Sequence, residues 1–219
     1  MTTPLLVIGN KNYSSWSLRA WIALRKADVV FEECKLPLDT PEFTRRIGDY
    51  SPTRRVPVLR DGEVCVWDSL AIGEYINERW AAGKLLPEAP ATRARARSLC
   101  AEMHSGFAAL RAEMPMNCRA EGRRVPVGQG LAADIERVQE VWAGERGRNA
   151  TAGPWLMGSF SLVDAMYIPV ALRFRTYGVN VTEPVQAYMD TVWNDPDISA
   201  WVQAGRDESD VVEADEAGT

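Results

Sequence analysis

Apolar and polar positions divide the first 80 residues into short strands and amphipathic helices. The apolar run at residues 5–8 is long enough for one buried strand, and residues 29–36 predict a second. Between them, apolar residues at helix spacing from residue 18 to residue 22 predict a helix that begins near Ser14–Ser15. A strand, a helix and a strand in this order favour parallel pairing of the two strands.

A hairpin and a further helix complete this part of the chain. Residues 56–60 and 63–67 predict two antiparallel strands, because Asp61-Gly62 between them suits a tight turn. Asp68 then caps a helix, and residues 41–48 allow a short helix before the hairpin. The apolar face of the helix after Asp68 consists of Ile72, Tyr75, Ile76 and Trp80. The resulting order, βαβαββα, is the thioredoxin-like arrangement.

The rest of the chain shows no strand pattern and predicts helices only. It follows a proline-containing linker at residues 84–91. We expect helices at residues 91–114, 127–148, 161–177, 183–193 and 196–204. The sequence therefore predicts an α/β plus all-α protein, with a thioredoxin-like domain (1–83) and an all-helical domain (92–206). The acidic residues 207–219 predict a frayed tail without a function.

Charge and cysteine content exclude several classes of partner. The net charge of −5 and the pI near 5.1 argue against nucleic acid and anionic membranes, which favour a basic surface. No apolar run approaches the roughly 20 residues that span a bilayer, and the start of the chain does not resemble a signal peptide. Four widely spaced cysteines without a CxxC pair indicate a reducing compartment, so we expect a cytoplasmic protein. With His104 as the single histidine, we expect no metal site.

Ser14 is the first candidate for chemistry, because it stands at the start of a predicted helix. A hydroxyl there lies among free N–H donors and at the positive end of the helix dipole. This environment stabilises an anion such as a thiolate, whose parent thiol has a pKa of about 8.5 on its own. The alternative is that Ser14 and Ser15 only cap the helix, and the motif by itself favours capping.

Pro57 is the second candidate, because it lies in a predicted strand, where it would remove a ladder hydrogen bond. In a thioredoxin-like arrangement this position holds a cis-proline beside the N-terminus of the first helix. The backbone of Val56 is then free to pair with an extended peptide ligand. We therefore predict a cis Val56–Pro57 bond; the alternative is a trans-proline that opens an edge strand.

Asp68 and Ser69 form the third candidate, at the start of the next helix. The N–H and hydroxyl of Ser69 suit a carboxylate, and Asp68 suits an ammonium group. A ligand with an α-amino acid end carries both groups. The alternative is an ordinary helix cap.

These motifs, in this order, resemble those of the cytosolic glutathione transferases. Residues 14–24, Ser-Ser-Trp-Ser-Leu-Arg-Ala-Trp-Ile-Ala-Leu, are similar to the serine-type (zeta and tau) motif of that family. The first 80 residues resemble its N-terminal domain, and the helical remainder resembles its C-terminal domain. Ser161-Leu162-Val163-Asp164 resembles the family's helix-capping box, for which we expect a structural role.

The resemblance implies a role for each motif residue. Ser14 would contact the glutathione sulfur, although the sequence leaves Ser15 and Tyr13 as alternatives. The remaining glutathione contacts would be Arg55 near the glycine carboxylate, Val56 and Pro57 at the cysteinyl backbone, and Asp68 and Ser69 at the γ-glutamyl end. A second-substrate pocket between the domains would include Asn12, Tyr13, His104, Phe107 and Arg111.

Two positions depart from the zeta pattern. Zeta members carry cysteine where this chain has Trp16, and that cysteine bears on their maleylacetoacetate isomerase activity. Arg173 and Arg175 lie near the place of the zeta substrate-binding arginine, but the alignment puts Thr176 there. Both departures argue against the isomerase activity.

The resemblance thus implies a glutathione S-transferase that adds the glutathione thiolate to a small hydrophobic electrophile. Glutathione is its co-substrate, no cofactor is bound permanently, and a homodimer is expected. The alternatives are a glutathione-dependent cis-trans isomerase of the maleylacetoacetate type and a non-catalytic glutathione-binding or stress-response module.

Overall fold

The first part of the chain folds around a four-stranded sheet, in a computed structural model that describes residues 2–219. The strands are β1 (Leu5–Ile8), β2 (Glu32–Lys35), β3 (Val58–Asp61) and β4 (Val64–Trp67), in the spatial order β2-β1-β3-β4. β2 is parallel to β1, with Leu6 opposite Glu33, whereas β3 is antiparallel to both β1 and β4. The predicted parallel pair and the predicted hairpin are therefore confirmed.

Helices make up most of the remaining described chain. They are α1 (Ser15–Lys26), α2 (Pro41–Arg46), α3 (Ser69–Arg79), α4 (Pro90–Ser105), α5 (Ala108–Glu113), α6 (Gln129–Arg148), α7 (Leu162–Thr176), α8 (Glu183–Asn194) and α9 (Pro196–Arg206). After β4 the described residues form only isolated β-bridges, near residues 155–159. The order βαβαββα followed by helices confirms the predicted fold class. Within residues 2–219, no helix is both long and apolar enough to cross a membrane.

Several element boundaries differ from the prediction. β3 begins at Val58, because Pro57 has no N–H group for the ladder. Asp61 pairs with Val64, so the turn is Gly62-Glu63 and not Asp61-Gly62. Gly62 takes the positive φ of 58° that this turn requires. α4 begins at Pro90, inside the predicted linker.

The helix predicted at residues 91–114 is divided into α4 and α5. α4 ends where the Gly106 N–H donates to the Glu102 carbonyl, and Phe107 then has a φ of 59°, in the left-handed region. The Arg111 guanidinium reaches back from α5 and donates to the carbonyls of Met103 and Gly106. These bonds satisfy carbonyls that the end of α4 leaves without helical partners.

α7 lies at the centre of the molecule and joins the sheet region to the helical region. It packs against α1, α3, α4 and α8, and nearly all of its residues are buried. Tyr167 and Phe174 on α7 contact the fully buried Trp142 of α6, which in turn contacts Tyr188 of α8. Because α1 packs directly on α7, this core also fixes the position of the N-terminus of α1.

The predicted capping box begins α7. The Asp164 carboxylate accepts the Ser161 N–H at 2.8 Å, as predicted, and also the Ser161 hydroxyl at 2.9 Å. Its second oxygen accepts the Leu156 N–H at 3.0 Å, which holds the preceding loop against the helix. Asp164 is fully buried, and this burial raises its pKa to about 6.

The acidic C-terminal segment, residues 207–219, is docked on the protein, so the prediction of a frayed tail is wrong. The Glu208 carboxylate accepts the backbone N–H groups of Lys11 and Asn12 at 3.0 and 3.1 Å. Glu216 accepts the Tyr13 hydroxyl at 2.6 Å and pairs with Arg123 at 2.7 Å. The acidic composition suggested a solvated segment, but each of these carboxylates has a donor that is distant in sequence.

Replacing Asp164 by alanine is expected to lower the free energy of unfolding by about 2–4 kcal/mol, because three buried donors lose their acceptor. Urea unfolding followed by circular dichroism measures the change. Asp190→Ala is the matched control, since Asp190 is exposed on α8 and accepts only from the Gln186 side chain. We expect the control to stay within about 0.5 kcal/mol of wild type. Equal unfolding midpoints for both variants would contradict the role of the capping box.

Candidate active site

The N-terminus of α1 carries the predicted Ser14 in a cap position. Its Oγ accepts the Ser17 N–H at 3.4 Å and lies 2.7 Å from the Ser17 Oγ. The Ser17 hydroxyl also accepts the Gly9 N–H at 3.1 Å, which connects the end of β1 to the first turn of α1. Ser14 is 6% exposed, and its exposed face lines a cavity.

The two alternatives to Ser14 are held by other groups. The Ser15 Oγ accepts from the Arg173 guanidinium of α7 at 3.2 Å. The Tyr13 hydroxyl donates to Glu216 and accepts from Arg119 at 2.6 Å. Burial and the bond to Glu216 raise the pKa of Tyr13, which disfavours its phenolate. Tyr13 thus anchors the C-terminal segment.

Two neighbouring cavities lie beside these residues. The α3 cavity has a volume of about 410 Å³ and contains the N-terminus of α3, and the α1 cavity has about 470 Å³ and contains the N-terminus of α1. Both are lined by Trp16, Arg55 and Val56, so they lie side by side, and the two together are called the groove.

The α3 cavity brings together the predicted residues of the γ-glutamyl end. Asp68 caps α3 with one carboxylate oxygen, which accepts the N–H groups of Leu70 and Ala71. Its other oxygen lies 3.0 Å from the Nε2 of His104, on α4. The Ser69 hydroxyl is buried and has no hydrogen-bond partner within the described chain.

The edge between the two cavities contains the remaining predicted residues. Val56 and Pro57 line the α3 cavity, and the Val56–Pro57 peptide bond is cis, as predicted. Arg55 is exposed and lines both cavities. Arg54, which no sequence motif indicated, lines the α1 cavity and has a φ of 55°.

Trp16 lines both cavities and is packed by cations. Its ring lies under the guanidinium carbons of Arg19 and Arg111, at 4.4 and 4.7 Å from the ring centroid. The His104 ring meets Trp16 edge to face at 5.4 Å. Two guanidinium groups this close to a tryptophan ring make favourable cation–π contacts. It also explains why a large aromatic residue follows the two serines.

The floor of the α1 cavity is cationic. Arg173 is buried, and its nitrogens donate to the carbonyls of Met114 and Pro169 and to the Ser15 hydroxyl. Burial and the neighbouring Arg111 lower the pKa of Arg173 to about 10. Burial also lowers the pKa of Arg111. Both arginines donate to neutral oxygens. An anion in the cavity would therefore stabilise their charged forms further.

Three of the residues that are predicted to contact a second substrate do not line the α1 cavity. Asn12 is fully buried and bonds to Asn117, and Phe107 is buried against Tyr167, so both lie outside the two cavities. His104 lines the α3 cavity beside Asp68, away from the α1 cavity. The other two predicted residues, Tyr13 and Arg111, do line the α1 cavity.

Of the two arginines on α7 near the zeta position, Arg173 lines the α1 cavity, although the alignment pointed to Thr176. The Thr176 hydroxyl is buried and donates to backbone carbonyls of Leu172 and Asn117. Arg175 extends the other way and stacks on Trp193 at 3.8 Å. One helical turn separates positions 173 and 176, so they lie close along α7. Only the packing of α7 on α1 decides which of them reaches the site.

In the described part of the chain, no group of three or more His, Cys, Asp or Glu side chains is arranged to hold a metal ion. The chemistry of the groove lies instead in hydroxyl groups, guanidinium groups and one carboxylate–histidine pair.

Comparisons with known proteins agree with this arrangement. Residues 13–79 match the family model described as "Glutathione S-transferase, N-terminal domain". A probable maleylacetoacetate isomerase from Vibrio cholerae is 33% identical over 180 residues, which cover 77% of this chain and 81% of that protein. A maleylacetoacetate isomerase from mouse is 30% identical over 82% of both chains.

A solved structure shares the fold over its whole length. It is a glutathione transferase homologue from Burkholderia with bound glutathione, 24% identical, with a TM-score of 0.73 over 94% of this chain and all of that one. The match of the N-terminal region and the similarity to relatives along most of the chain place the protein in one family. The chain belongs to the cytosolic glutathione S-transferase family.

Proposed function

We propose that the protein is a glutathione transferase that binds glutathione along the groove and adds its thiolate to a small electrophile in the α1 cavity. The observation that carries the proposal is the position of Ser14. It caps α1 and lines the α1 cavity, and Ser69, whose hydroxyl is free, lines the neighbouring α3 cavity at the start of α3. The groove thus offers a donor for a sulfur and, beyond it, groups for an α-amino acid.

The hydrogen bonds of Ser14 and Ser17 support a donor role for Ser14. The Ser17 Oγ accepts the Gly9 N–H, and in this proposal it donates its own hydrogen to Ser14. The Ser14 Oγ then accepts from the Ser17 hydroxyl and the Ser17 N–H, so its hydrogen is free to point into the cavity. A thiolate there would accept that hydrogen at the positive end of α1.

Arg173 and Ser15 would assist from the cavity floor. The guanidinium of Arg173 donates to the Ser15 Oγ, which leaves the Ser15 hydrogen for a second bond to the sulfur. The buried positive charges of Arg111 and Arg173 favour the ionised thiol over the neutral thiol. We assign the direct contact to Ser14 and a supporting contact to Ser15.

The α3 cavity would hold the other end of glutathione. The Ser69 hydroxyl, buried without a partner, would donate to the γ-glutamyl carboxylate, and Asp68 would accept the ammonium group. Asp68 would then be shared between the ammonium and His104. Arg55, at the edge of both cavities, would lie near the glycine carboxylate.

In the transfer step, the thiolate attacks the electrophilic carbon, and a sulfur–carbon bond forms. With an aryl chloride as electrophile, the chloride leaves with the electron pair of the broken bond. The protein lowers the thiol pKa and brings the two reactants together. Because the bound thiol has already lost its proton, the transfer step needs no separate base to remove it.

A glutathione-dependent isomerase is the second candidate, because similar proteins from Vibrio cholerae and mouse are named maleylacetoacetate isomerases. Arg173 lines the α1 cavity, and its positive charge would attract an anionic substrate. In that reaction the thiolate would add to a double bond and leave again after rotation. Turnover of maleylacetoacetate distinguishes the isomerase from the transferase.

We also propose that the protein acts in the cytoplasm as a homodimer. The homodimer is proposed from the family to which the chain belongs, in which dimers are typical. Sedimentation of the purified chain would give the oligomeric state. If glutathione binds but no aromatic electrophile or maleylacetoacetate is turned over, the protein is a non-catalytic module.

Ser14→Ala is expected to lower turnover of an aromatic chloride with glutathione at neutral pH by about tenfold or more. A hydrogen bond to a charged group contributes about 1.5–3 kcal/mol, which corresponds to at least about tenfold in rate. Steady-state kinetics measures the loss. Ser15→Ala is the matched variant, and we expect a smaller loss because Ser15 only supports the sulfur. A larger loss in Ser15→Ala than in Ser14→Ala would reverse the two assignments.

Asp68→Asn and Ser69→Ala are expected to weaken glutathione binding by about tenfold each, with a smaller change in turnover at saturation. Both contacts are remote from the sulfur, so they act on the ground state and the transition state alike. Asparagine is chosen because it retains an oxygen that caps α3 and accepts the positive φ of 76° at this position. Calorimetry measures the affinities.

Ser105→Ala is the control for this pair, since the Ser105 hydroxyl is exposed on α4 and donates to a carbonyl of its own helix. It should bind glutathione as wild type does. Wild-type affinity in both Asp68→Asn and Ser69→Ala would mean that these residues only cap α3.

A further inference from the structure

The docked C-terminal segment forms one side of the α1 cavity. Arg119 donates to the backbone carbonyls of Glu208 and Asp210, and Val212 is buried. Farther along, Thr219 and Arg124 exchange backbone hydrogen bonds. The segment is therefore attached along its length, and one of its residues, Asp215, lines the cavity.

Asp215 differs from its neighbour in how its carboxylate is used. Glu216 is engaged by the Tyr13 hydroxyl, the Asn117 amide and Arg123. The Asp215 carboxylate takes part in none of the hydrogen bonds or ion pairs within residues 2–219, and it is half-buried at the cavity wall. Among the described residues that line the α1 cavity, it is the single acidic side chain.

The charges around Asp215 come from three sides. Arg173 on α7 attracts it, whereas Asp39, in the loop after β2, and Glu216 repel it. Burial, together with this repulsion, raises the pKa of Asp215 to about 6, so it is mainly ionised at neutral pH. The negative charge of Asp215 thus partly offsets the positive charges of Arg111 and Arg173, which line the same cavity.

We propose that Asp215 is a specificity-determining residue of the α1 cavity, which weakens the binding of electrophiles that carry a carboxylate relative to neutral ones of the same shape. This inference rests on the proposed function, in which the second substrate occupies this cavity. Arg173 and Asp215 line the same cavity, so a substrate carboxylate bound near Arg173 is repelled by the Asp215 carboxylate. Like charges in a partly buried site repel strongly. A neutral compound of the same shape is not affected in this way.

The test compares binding of 3,5-dinitrobenzoate with binding of its methyl ester, which has the same ring without the charge. Neither compound has a halide at a ring position that the nitro groups activate, so calorimetry in the presence of glutathione reports affinity without turnover. In Asp215→Asn, we expect the benzoate to bind roughly tenfold more tightly at pH 7.5. The ester should change by less than about twofold, so the ratio of the two affinities carries the result.

Two control variants separate charge in the cavity from other effects. Asp215→Glu keeps the charge and should retain the wild-type ratio of affinities. Glu213→Gln removes a charge from an exposed position of the same segment, outside the cavity, and should also retain it. Thermal unfolding of each variant confirms that the fold is kept.

An unchanged ratio in Asp215→Asn overturns the inference, as does a change of equal size in Glu213→Gln or binding of neither compound to any variant. The inference and the proposed function fail in different ways. A shifted ratio without turnover of methyl 4-chloro-3,5-dinitrobenzoate supports the charge selection and contradicts the transferase activity. Turnover of that ester with an unchanged ratio supports the transferase activity and contradicts the charge selection.

Discussion

The position of the loop at residues 10–13 is the constraint on which the site depends. Asn10 and Asn12 are fully buried there, and their side chains replace the backbone pairing that a loop lacks. Asn10 accepts the Leu38 N–H at 2.8 Å and donates to Asp210, and Asn12 donates to Asn117 at 3.0 Å. The loop is thus held by the chain after β2, by the chain after α5 and by the C-terminal segment. Its end sets where α1 begins, and hence where Ser14 lies.

The parts of the fold that the sequence predicted are those with local causes. The strand at residues 5–8, the hairpin around Gly62 and the caps at Ser14 and Asp68 each depend on residues within a few positions of one another. The cis bond before Pro57 followed from the topology that these elements imply. The motifs that we propose for glutathione binding could be recognised for the same reason, because each is a short segment at the start of a helix or strand.

The parts that the sequence did not predict depend on partners far along the chain. Residues 207–219 have the composition of a solvated tail, and their docking depends on N–H groups of the loop at residues 10–13 and on Arg119 and Arg123. Likewise, the choice of Arg173 over Thr176 is made by the rotation of α7 against α1. The sequence contained a signal for the missed division between α4 and α5, since a glycine inside a helical pattern, here Gly106, lowers helix propensity and can mark a helix end.

Burial of the arginines around Trp16 lowers the stability of the protein, and the contacts of these side chains offset only part of this cost. Arg19 is 1% exposed, and its guanidinium nitrogens have no hydrogen-bond partner within residues 2–219, so burial lowers its pKa well below the usual value. The ring of Trp16 offsets part of that cost through its electron-rich face, and it does the same for Arg111. A salt bridge to a carboxylate would offset more, but it would also cancel the positive potential beside Ser14 and Ser15. In the function proposed for this site, the glutathione thiolate would lie near Arg111 and Arg173, which line the α1 cavity, so part of the cost of burying these two charges would be recovered as preferential binding of the ionised thiol.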